Sequence, residues 1–133
     1  MKPAAFDYLR AETADEAVAA LAERGGDARV LAGGQSLMAA LNFRLAQAAT
    51  LVDLSRAADL AGIGTEDGRL VVGAAATQGR VEWREGLARE VPLLAQALPH
   101  VPHFPIRNKG TVCGSIAHAD PSAELPLVLL AAG

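Results

Sequence analysis

The stretch that decides the fold of this chain reads Ala28-Arg29-Val30-Leu31-Ala32-Gly33-Gly34-Gln35-Ser36-Leu37. Its first four residues are typical of a strand, and the paired glycines that follow let the backbone turn sharply. A helix with one apolar face is predicted next, because apolar residues recur at helical spacing at Leu37, Met38, Leu41 and Leu45. The stretch therefore predicts a strand, a tight turn and a short helix in succession.

The glycine pair also suggests a site for an anion. Gly33 and Gly34 have no Cβ, so the backbone can approach a ligand closely, and free N–H groups where a helix begins suit a phosphate. An isolated Gly-Gly-x-Ser is more often only a tight turn. By itself, this loop does not establish a binding site.

The residues before and after this stretch predict a small β-α-β subdomain over residues 1–55. Thr13-Ala14-Asp15-Glu16 is a capping box, and the glycines at 25–26 mark a helix end, so a helix is expected at about 13–24. Alternating residues at 6–10 predict a strand before that helix. A third strand at Thr50-Leu51-Val52-Asp53 is expected to close the subdomain.

Residues 56–133 predict a second subdomain with an antiparallel sheet. The run 62–73 has the pattern of a hairpin whose primed turn is Asp67-Gly68. Ser122 is the predicted cap of the last helix and Gly133 its stop. The other elements expected after the hairpin are a helix at 91–98, a proline-rich extended or turning segment at 99–105, a loop at 107–121 and a helix at 122–132.

A second candidate loop reads Ile106-Arg107-Asn108-Lys109-Gly110-Thr111-Val112-Cys113-Gly114-Ser115-Ile116-Ala117-His118-Ala119-Asp120-Pro121. Its two basic side chains, its hydroxyls and its small residues suit a second phosphate contact. Asp120 and Glu124 add carboxylates, which in nucleotide sites commonly accept hydrogen bonds from ribose hydroxyls or an adenine amine. Asp120 taken alone is explained equally well by turn and cap chemistry.

Composition excludes several classes of function. The net charge is -3 and no run of Lys or Arg is present, so nucleic acid is not expected as a partner. The longest apolar run, 125–132, contains Pro126 and is far shorter than the ~20 residues that cross a bilayer. Charged residues from Asp7 onwards argue against a signal peptide. A cytoplasmic protein with no membrane span is expected.

Metal-ligating residues are scarce in the sequence. Cys113 is the only cysteine, so the chain lacks the cysteine cluster that holds an iron–sulfur centre. His100 and His103 lie in a proline-rich segment without a third ligand nearby in sequence. No metal site is predicted on this chain.

The two loops together carry a resemblance to a known family. The residues at 32–37, 106–108 and 110–121, in that order, resemble the FAD-binding medium subunit of the molybdenum hydroxylases. Xanthine dehydrogenase and aerobic carbon monoxide dehydrogenase belong to that family. The similarity covers the whole chain and includes the stretch Leu41-Asn42-Phe43-Arg44-Leu45-Ala46.

The resemblance implies FAD as cofactor and an α+β fold of the vanillyl-alcohol-oxidase (PCMH) type, in which both loops grip the diphosphate. Glu124 is expected on the adenosine side. No catalytic residue is implied for this chain. The implied cofactor-binding residues are Ala32, Gly33, Gly34, Gln35, Ser36, Leu37, Thr111, Val112, Cys113, Gly114, Ser115, Asp120 and Glu124.

Two departures from the family pattern have consequences. A glycine is usual where Cys113 stands, so a positive φ at that position would strain the cysteine. Family members continue beyond the helix at 122–132 through further strands and a C-terminal domain. We therefore expect this chain to be the N-terminal portion only, with an incomplete second subdomain, and to be inactive alone.

The resemblance implies an electron-transfer role. FAD would take electrons from iron–sulfur centres on a partner chain and pass them to an external acceptor, while a molybdenum-cofactor subunit hydroxylates the substrate. One alternative is a self-sufficient flavin oxidase or reductase, which would need a substrate domain of its own. The other is a truncated, non-catalytic fragment that binds a nucleotide or a partner subunit.

Overall fold

The computed structural model describes residues 1–132, which form five short strands and eight α-helices. The strands are β1 (Asp7–Arg10), β2 (Ala28–Leu31), β3 (Thr50–Asp53), β4 (Ile63–Glu66) and β5 (Arg69–Val72). The helices are α1 (Ala14–Arg24), α2 (Leu37–Asn42), α3 (Gln78–Glu82), α4 (Leu87–Glu90), α5 (Pro92–Ala97), α6 (Phe104–Arg107), α7 (Val112–His118) and α8 (Glu124–Ala132). The helix stop expected at Gly133 lies outside the described residues.

The first sheet is parallel and has the strand order β1-β3-β2. Asp7 and Ala28 both pair with Thr50, so the two outer strands are in register with the same end of β3. All four residues of β3 are buried, as expected for the central strand of a parallel sheet. The predicted β-α-β unit is confirmed, and its third strand lies between the first two.

Helix α1 follows the prediction closely. The Thr13 hydroxyl accepts a hydrogen bond from the backbone N–H of Glu16, at 3.2 Å. The Glu16 carboxylate accepts one from the N–H of Glu12, at 2.7 Å, which is one residue earlier than in a standard capping box. Gly25 ends the helix with a φ of 67°. On the buried face of α1, Ala17 and Ala20 pack in a cluster with Ala11, Val52 and Leu54.

Helix α2 is shorter than predicted, and Leu45 does not belong to its apolar face. The helix ends at Asn42, and Leu45 is 83% exposed. The backbone N–H groups of Leu45 and Ala46 both donate to the carbonyl of Ala40, and Arg44 adopts a φ of 56°. This turn ends the helix before Leu45 can reach the side that Leu41 buries.

The predicted hairpin is confirmed. Strands β4 and β5 are antiparallel, with Glu66 opposite Arg69. Asp67 and Gly68 have φ values of 49° and 75°, which are the two positive values of a type I′ turn.

The helices after the hairpin surround a second core cluster. Its buried members are Val81, Leu87, Leu94, Leu98, Val101, Leu125 and Val128. Helix α5 begins at Pro92, a position where the missing N–H of proline costs nothing. The proline-rich segment does turn, as expected, but it also contains a 3₁₀ turn at 98–100 and the helix α6.

The loop predicted over 107–121 is wrong for its central part, where α7 stands. Thr111 caps this helix by accepting a hydrogen bond from the N–H of Gly114 at 2.9 Å. Val112 and Ile116 pack against the second core cluster. Gly114 and Ser115 are poor helix formers, but the cap and the packing outweigh their low propensity.

The predicted cap at Ser122 is also wrong, because α8 begins at Glu124. Asp120 organises the turn before it instead. Its carboxylate accepts a hydrogen bond from the N–H of Ser122 at 2.8 Å, and its carbonyl accepts one from the N–H of Ala123 at 3.0 Å.

Candidate functional site

The two glycine-containing loops meet in space. A Cβ built on Gly33 would lie 2.5 Å from the Cα of Gly110 and would also collide with the carbonyl of Lys109. On Gly114, a Cβ would lie 3.4 Å from the Cβ of Ala32. The backbones therefore approach to a distance that only glycine allows.

The first loop presents backbone donors. Gly34 has a φ of 72°, and the side-chain amide of Gln35 donates to the carbonyl of Gly33 at 2.8 Å. Across residues 1–132, no hydrogen-bond acceptor is found for the backbone N–H groups of residues 33–37. Such a set of unpaired donors next to a glycine turn suits an anionic group.

The second loop is held by residues 76–78, at the start of α3. Thr77 and Thr111 form an isolated antiparallel bridge, and the N–H of Gln78 donates to the carbonyl of Gly110 at 2.8 Å. The N–H of Val112 reaches the carbonyl of Ala76 at 3.4 Å. These bonds fix the start of α7 beside the first loop.

Two clefts flank the place where the loops meet. The first, here called the loop cleft, has a volume of about 530 Å³ and is lined by both loops and by the start of α8. The second, here called the side cleft, has a volume of about 690 Å³ and lies between the first loop and the ends of β3 and α6. Residues 32–35 and Thr111 line both clefts.

The loop cleft brings together all but two of the predicted cofactor-binding residues. Those that line it are Ala32, Gly33, Gly34, Gln35, Ser36, Leu37, Thr111, Gly114, Ser115, Asp120 and Glu124. The side cleft is larger, but it contains only five of the predicted residues. The loop cleft is therefore the better candidate for the cofactor, on the chemistry of its lining.

Val112 and Cys113 line neither cleft. Val112 packs into the second core cluster. The Cys113 thiol donates to the carbonyl of Val72 at 3.3 Å, and burial raises the pKa of this thiol. Cys113 is helical and its φ is not positive, so the strain considered for this position does not arise.

Arg107 is not available to a phosphate, contrary to what the basic character of the second loop predicts. Its side chain is buried and forms an ion pair with Glu82. Of the two basic residues, Lys109 lines the side cleft and Arg107 lines neither cleft.

The side cleft contains a polar cluster that sequence reasoning missed. The Asp53 carboxylate accepts hydrogen bonds from the N–H and the hydroxyl of Ser55, at 2.8 and 3.0 Å, and from the hydroxyl of Tyr8. The bond to Asp53, together with burial, raises the pKa of Tyr8. The available signal was a carboxylate at the C-terminal end of a central parallel strand, where α/β proteins place ligand contacts.

Gln78 was missed as well. It is only 5% exposed, and it is one of the residues that line the loop cleft. Its Nε2 lies 3.4 Å from the carbonyl of Thr111, while its Oε1 has no hydrogen-bond partner within residues 1–132. A buried polar residue directly after the cap of a helix leaves no distinctive mark in the sequence.

Two further observations apply to residues 1–132. No group of three or more His, Cys, Asp or Glu side chains is close enough there to hold a metal ion. No helix in that range has both the length and the apolar character that a membrane span requires.

Fold and site together define a nucleotide-binding domain in which two glycine loops meet at one cleft. The profile of the family described as "FAD binding domain in molybdopterin dehydrogenase" matches residues 4–133. The chain belongs to this family, whose cofactor is FAD.

Relatives of known function agree with this assignment. The alpha subunit of the 6-hydroxypseudooxynicotine dehydrogenase complex from Paenarthrobacter nicotinovorans is 43% identical over 131 residues, which cover 98% of this chain and 44% of the relative. The beta subunit of caffeine dehydrogenase from Pseudomonas sp. strain CBB1 is 41% identical, over 100% of this chain and 45% of the relative. The chain thus spans less than half the length of these relatives.

Solved structures give the same result. Reconstituted CO dehydrogenase from Oligotropha carboxidovorans matches with a TM-score of 0.91 at 39% identity, over 95% of this chain and 44% of that one. Quinoline 2-oxidoreductase from Pseudomonas putida 86 matches with a TM-score of 0.89 at 44% identity, with the same coverage.

Proposed function

We propose that this chain is the FAD-binding part of an electron-transfer subunit in a molybdenum-containing hydroxylase or dehydrogenase. It would take electrons from iron–sulfur centres on a partner chain and pass them to an external acceptor. FAD supplies the redox chemistry, and the residues of this chain bind and orient it.

The observation that carries this proposal is the contact between Gly33 and Gly110. It brings two backbones together at a cleft where the amides of residues 33–37 have no acceptor within residues 1–132. A diphosphate offers several anionic oxygens to such donors. The residues present therefore fit FAD, with the first loop and the cap of α7 as the two grips.

The role of each lining residue follows from its position. Gly33, Gly34 and Ser36 would contact the diphosphate from the first loop, and Thr111 and Ser115 from the second. Asp120 and Glu124 line the same cleft and carry carboxylates. Their oxygens would accept hydrogen bonds from the adenosine end.

The partners are proposed from the relatives. Their names describe subunits of dehydrogenase complexes, and one matching structure is a Cu,Mo-containing CO dehydrogenase. The single cysteine of this chain cannot supply the thiolates of an iron–sulfur cluster. We therefore assign the iron–sulfur centres and the molybdenum cofactor to other subunits, and we expect the complex to work in the cytoplasm.

We also propose the PCMH type of FAD-binding fold, with subdomains at 1–55 and 56–133. The parallel sheet and its core cluster support the first subdomain. The hairpin and the helices around the second cluster support the other. The loop cleft would then lie between the two.

The test is flavin retention by the protein as its gene encodes it, purified with its partner subunits. After incubation with FAD and removal of the excess, we expect a protein-perturbed flavin absorption band, and a much weaker one with FMN. FMN lacks the diphosphate and the adenosine that the two loops would bind. If neither flavin is retained, the electron-transfer role is wrong and a non-catalytic interaction role replaces it.

A further inference from the structure

Gln78 is buried beside the loop cleft, and one of its side-chain atoms has no hydrogen-bond partner among residues 1–132. The side chain lies beside the backbone of Gly110 and Thr111, the residues that precede α7. Its Oε1 finds no donor among residues 1–132. Most buried acceptors in proteins have a hydrogen-bond donor. A buried acceptor without one beside a cleft therefore suggests a donor on a bound ligand.

The orientation of this amide is set by its surroundings. The carbonyl of Thr111 can only accept a hydrogen bond, so the NH₂ group of Gln78 faces it, at 3.4 Å. Gly110 packs against the same group, because a Cβ added there would lie 3.3 Å from Nε2. The backbone N–H of Gln78 is already bonded to the carbonyl of Gly110. The amide oxygen thus points away from the Thr111 carbonyl and has no donor within residues 1–132.

An acceptor requires a donor, and this excludes the diphosphate of FAD itself. The diphosphate oxygens are ionised at neutral pH and only accept hydrogen bonds. The groups that directly flank the diphosphate, the ribityl chain and the ribose, carry hydroxyls that donate.

We propose that Gln78 binds the cofactor by accepting a hydrogen bond from a hydroxyl next to the diphosphate. This inference rests on the proposed function, since it takes FAD as the occupant of the loop cleft. Gln78 differs from the residues of the two glycine loops, because it recognises the sugar-like part of the cofactor and not its charge.

The test replaces Gln78 with methionine, which has a similar length and volume but no acceptor oxygen. Gln96 on α5 is exposed, so Gln96→Met makes the same chemical change away from both clefts. Melting temperatures without flavin establish that both variants are folded. The dissociation constants of FAD, ADP and FMN are then measured for the complete protein, because ADP lacks the ribityl chain and FMN lacks the ribose.

We expect Gln78→Met to weaken FAD binding by about ten-fold, the effect of one well-placed hydrogen bond, and Gln96→Met to leave it unchanged. A matching loss with FMN but not ADP assigns the hydroxyl to the ribityl chain. A matching loss with ADP but not FMN assigns it to the ribose.

Other results would overturn the inference. If Gln78→Met binds FAD as the wild type does, Gln78 contacts no cofactor hydroxyl, although the proposed function stands. If all three ligands weaken equally and the flavin-free melting temperature falls, the role of Gln78 is structural. If the wild type itself binds no FAD, the proposed function fails first and this inference with it.

Discussion

The guanidinium of Arg107 forms two hydrogen bonds with the carboxylate of Glu82, at 2.7 Å from Nε and 3.1 Å from Nη2. Its Nη1 donates to the carbonyl of Val101 at 2.8 Å, and its Cζ lies 5.8 Å from the ring centroid of Phe104. The pair joins α6 to α3. It therefore anchors the segment 108–110 that packs against the first glycine loop.

Removing the arginine should destabilise the fold strongly. Arg107→Met leaves the Glu82 carboxylate with only 12% exposure and no counter-ion, so we expect a loss of about 3–5 kcal/mol in the free energy of unfolding. Urea denaturation measures it. The control is Arg24→Met, which breaks an exposed pair with Asp7 and should cost less than about 1 kcal/mol. Similar losses in the two variants would refute the anchoring role.

A methyl group at the meeting point of the loops should impair flavin binding. In Gly33→Ala, the added Cβ would lie 2.5 Å from the Cα of Gly110, so the loops must separate. We expect FAD to bind at least about ten-fold more weakly, measured by titration of flavin fluorescence. Gly64→Ala is the matched control, because no atom lies within 4 Å of its added Cβ. Normal binding by Gly33→Ala would show that the cofactor lies elsewhere.

Local chemistry made several elements predictable from the sequence. The Thr13 cap and Gly25 fix both ends of α1, and the pair Asp67-Gly68 adopts the positive φ values that a primed turn needs. These features depend on residues close together in the chain. The same is true of the glycine turn at Gly34, whose φ is 72°.

Features that depend on distant contacts were not predictable. Helix α7 contains Gly114 and Ser115, and it forms because Thr111 caps it and its apolar residues meet a core built from other elements. The sequence predicts Arg107 as a phosphate ligand, because the partner that occupies it, Glu82, lies 25 residues earlier in the chain. The unpaired oxygen of Gln78 is visible only once its neighbours are in place.

The cysteine in the second loop should be dispensable for cofactor binding. Its thiol faces the carbonyl of Val72 and lines neither cleft, so Cys113→Ala should change the FAD dissociation constant by less than about two-fold. Because burial raises the pKa of Cys113, its thiolate fraction near neutral pH is small and alkylation of the native protein should be slow. The same reaction in urea is the control. Fast alkylation of the native protein would contradict this placement.

The ion pair between Arg84 and Glu90 should make the free energy of unfolding depend on pH in the acidic range. Their side chains are 2.9 Å apart, and the hydrogen bonds from Arg84 hold the pKa of Glu90 below its usual value. A lowered pKa in the folded state means that the stabilisation is complete above the usual pKa and is lost as the pH falls through the lowered one.

The measurement is the free energy of unfolding from about pH 7 to about pH 3, for the wild type and Glu90→Gln. We expect the wild type to be more stable at neutral pH and the difference to vanish in acid. The control is Glu85→Gln, at an exposed position in the same segment. If the difference in unfolding free energy between the wild type and Glu90→Gln stayed constant with pH, the titration of Glu90 could not be its source.

The central strand of the parallel sheet is the last of the three to be synthesised. Within residues 1–132, β1 and β2 pair only with β3, so neither has a strand partner until residues 50–53 have left the ribosome. During translation, the capped helix α1 can form from local contacts alone. Both outer strands remain without hydrogen-bonding partners until β3 is available. The strand that leads into the glycine turn, β2, therefore gains its hydrogen-bonding partner late, when β3 inserts between its two neighbours.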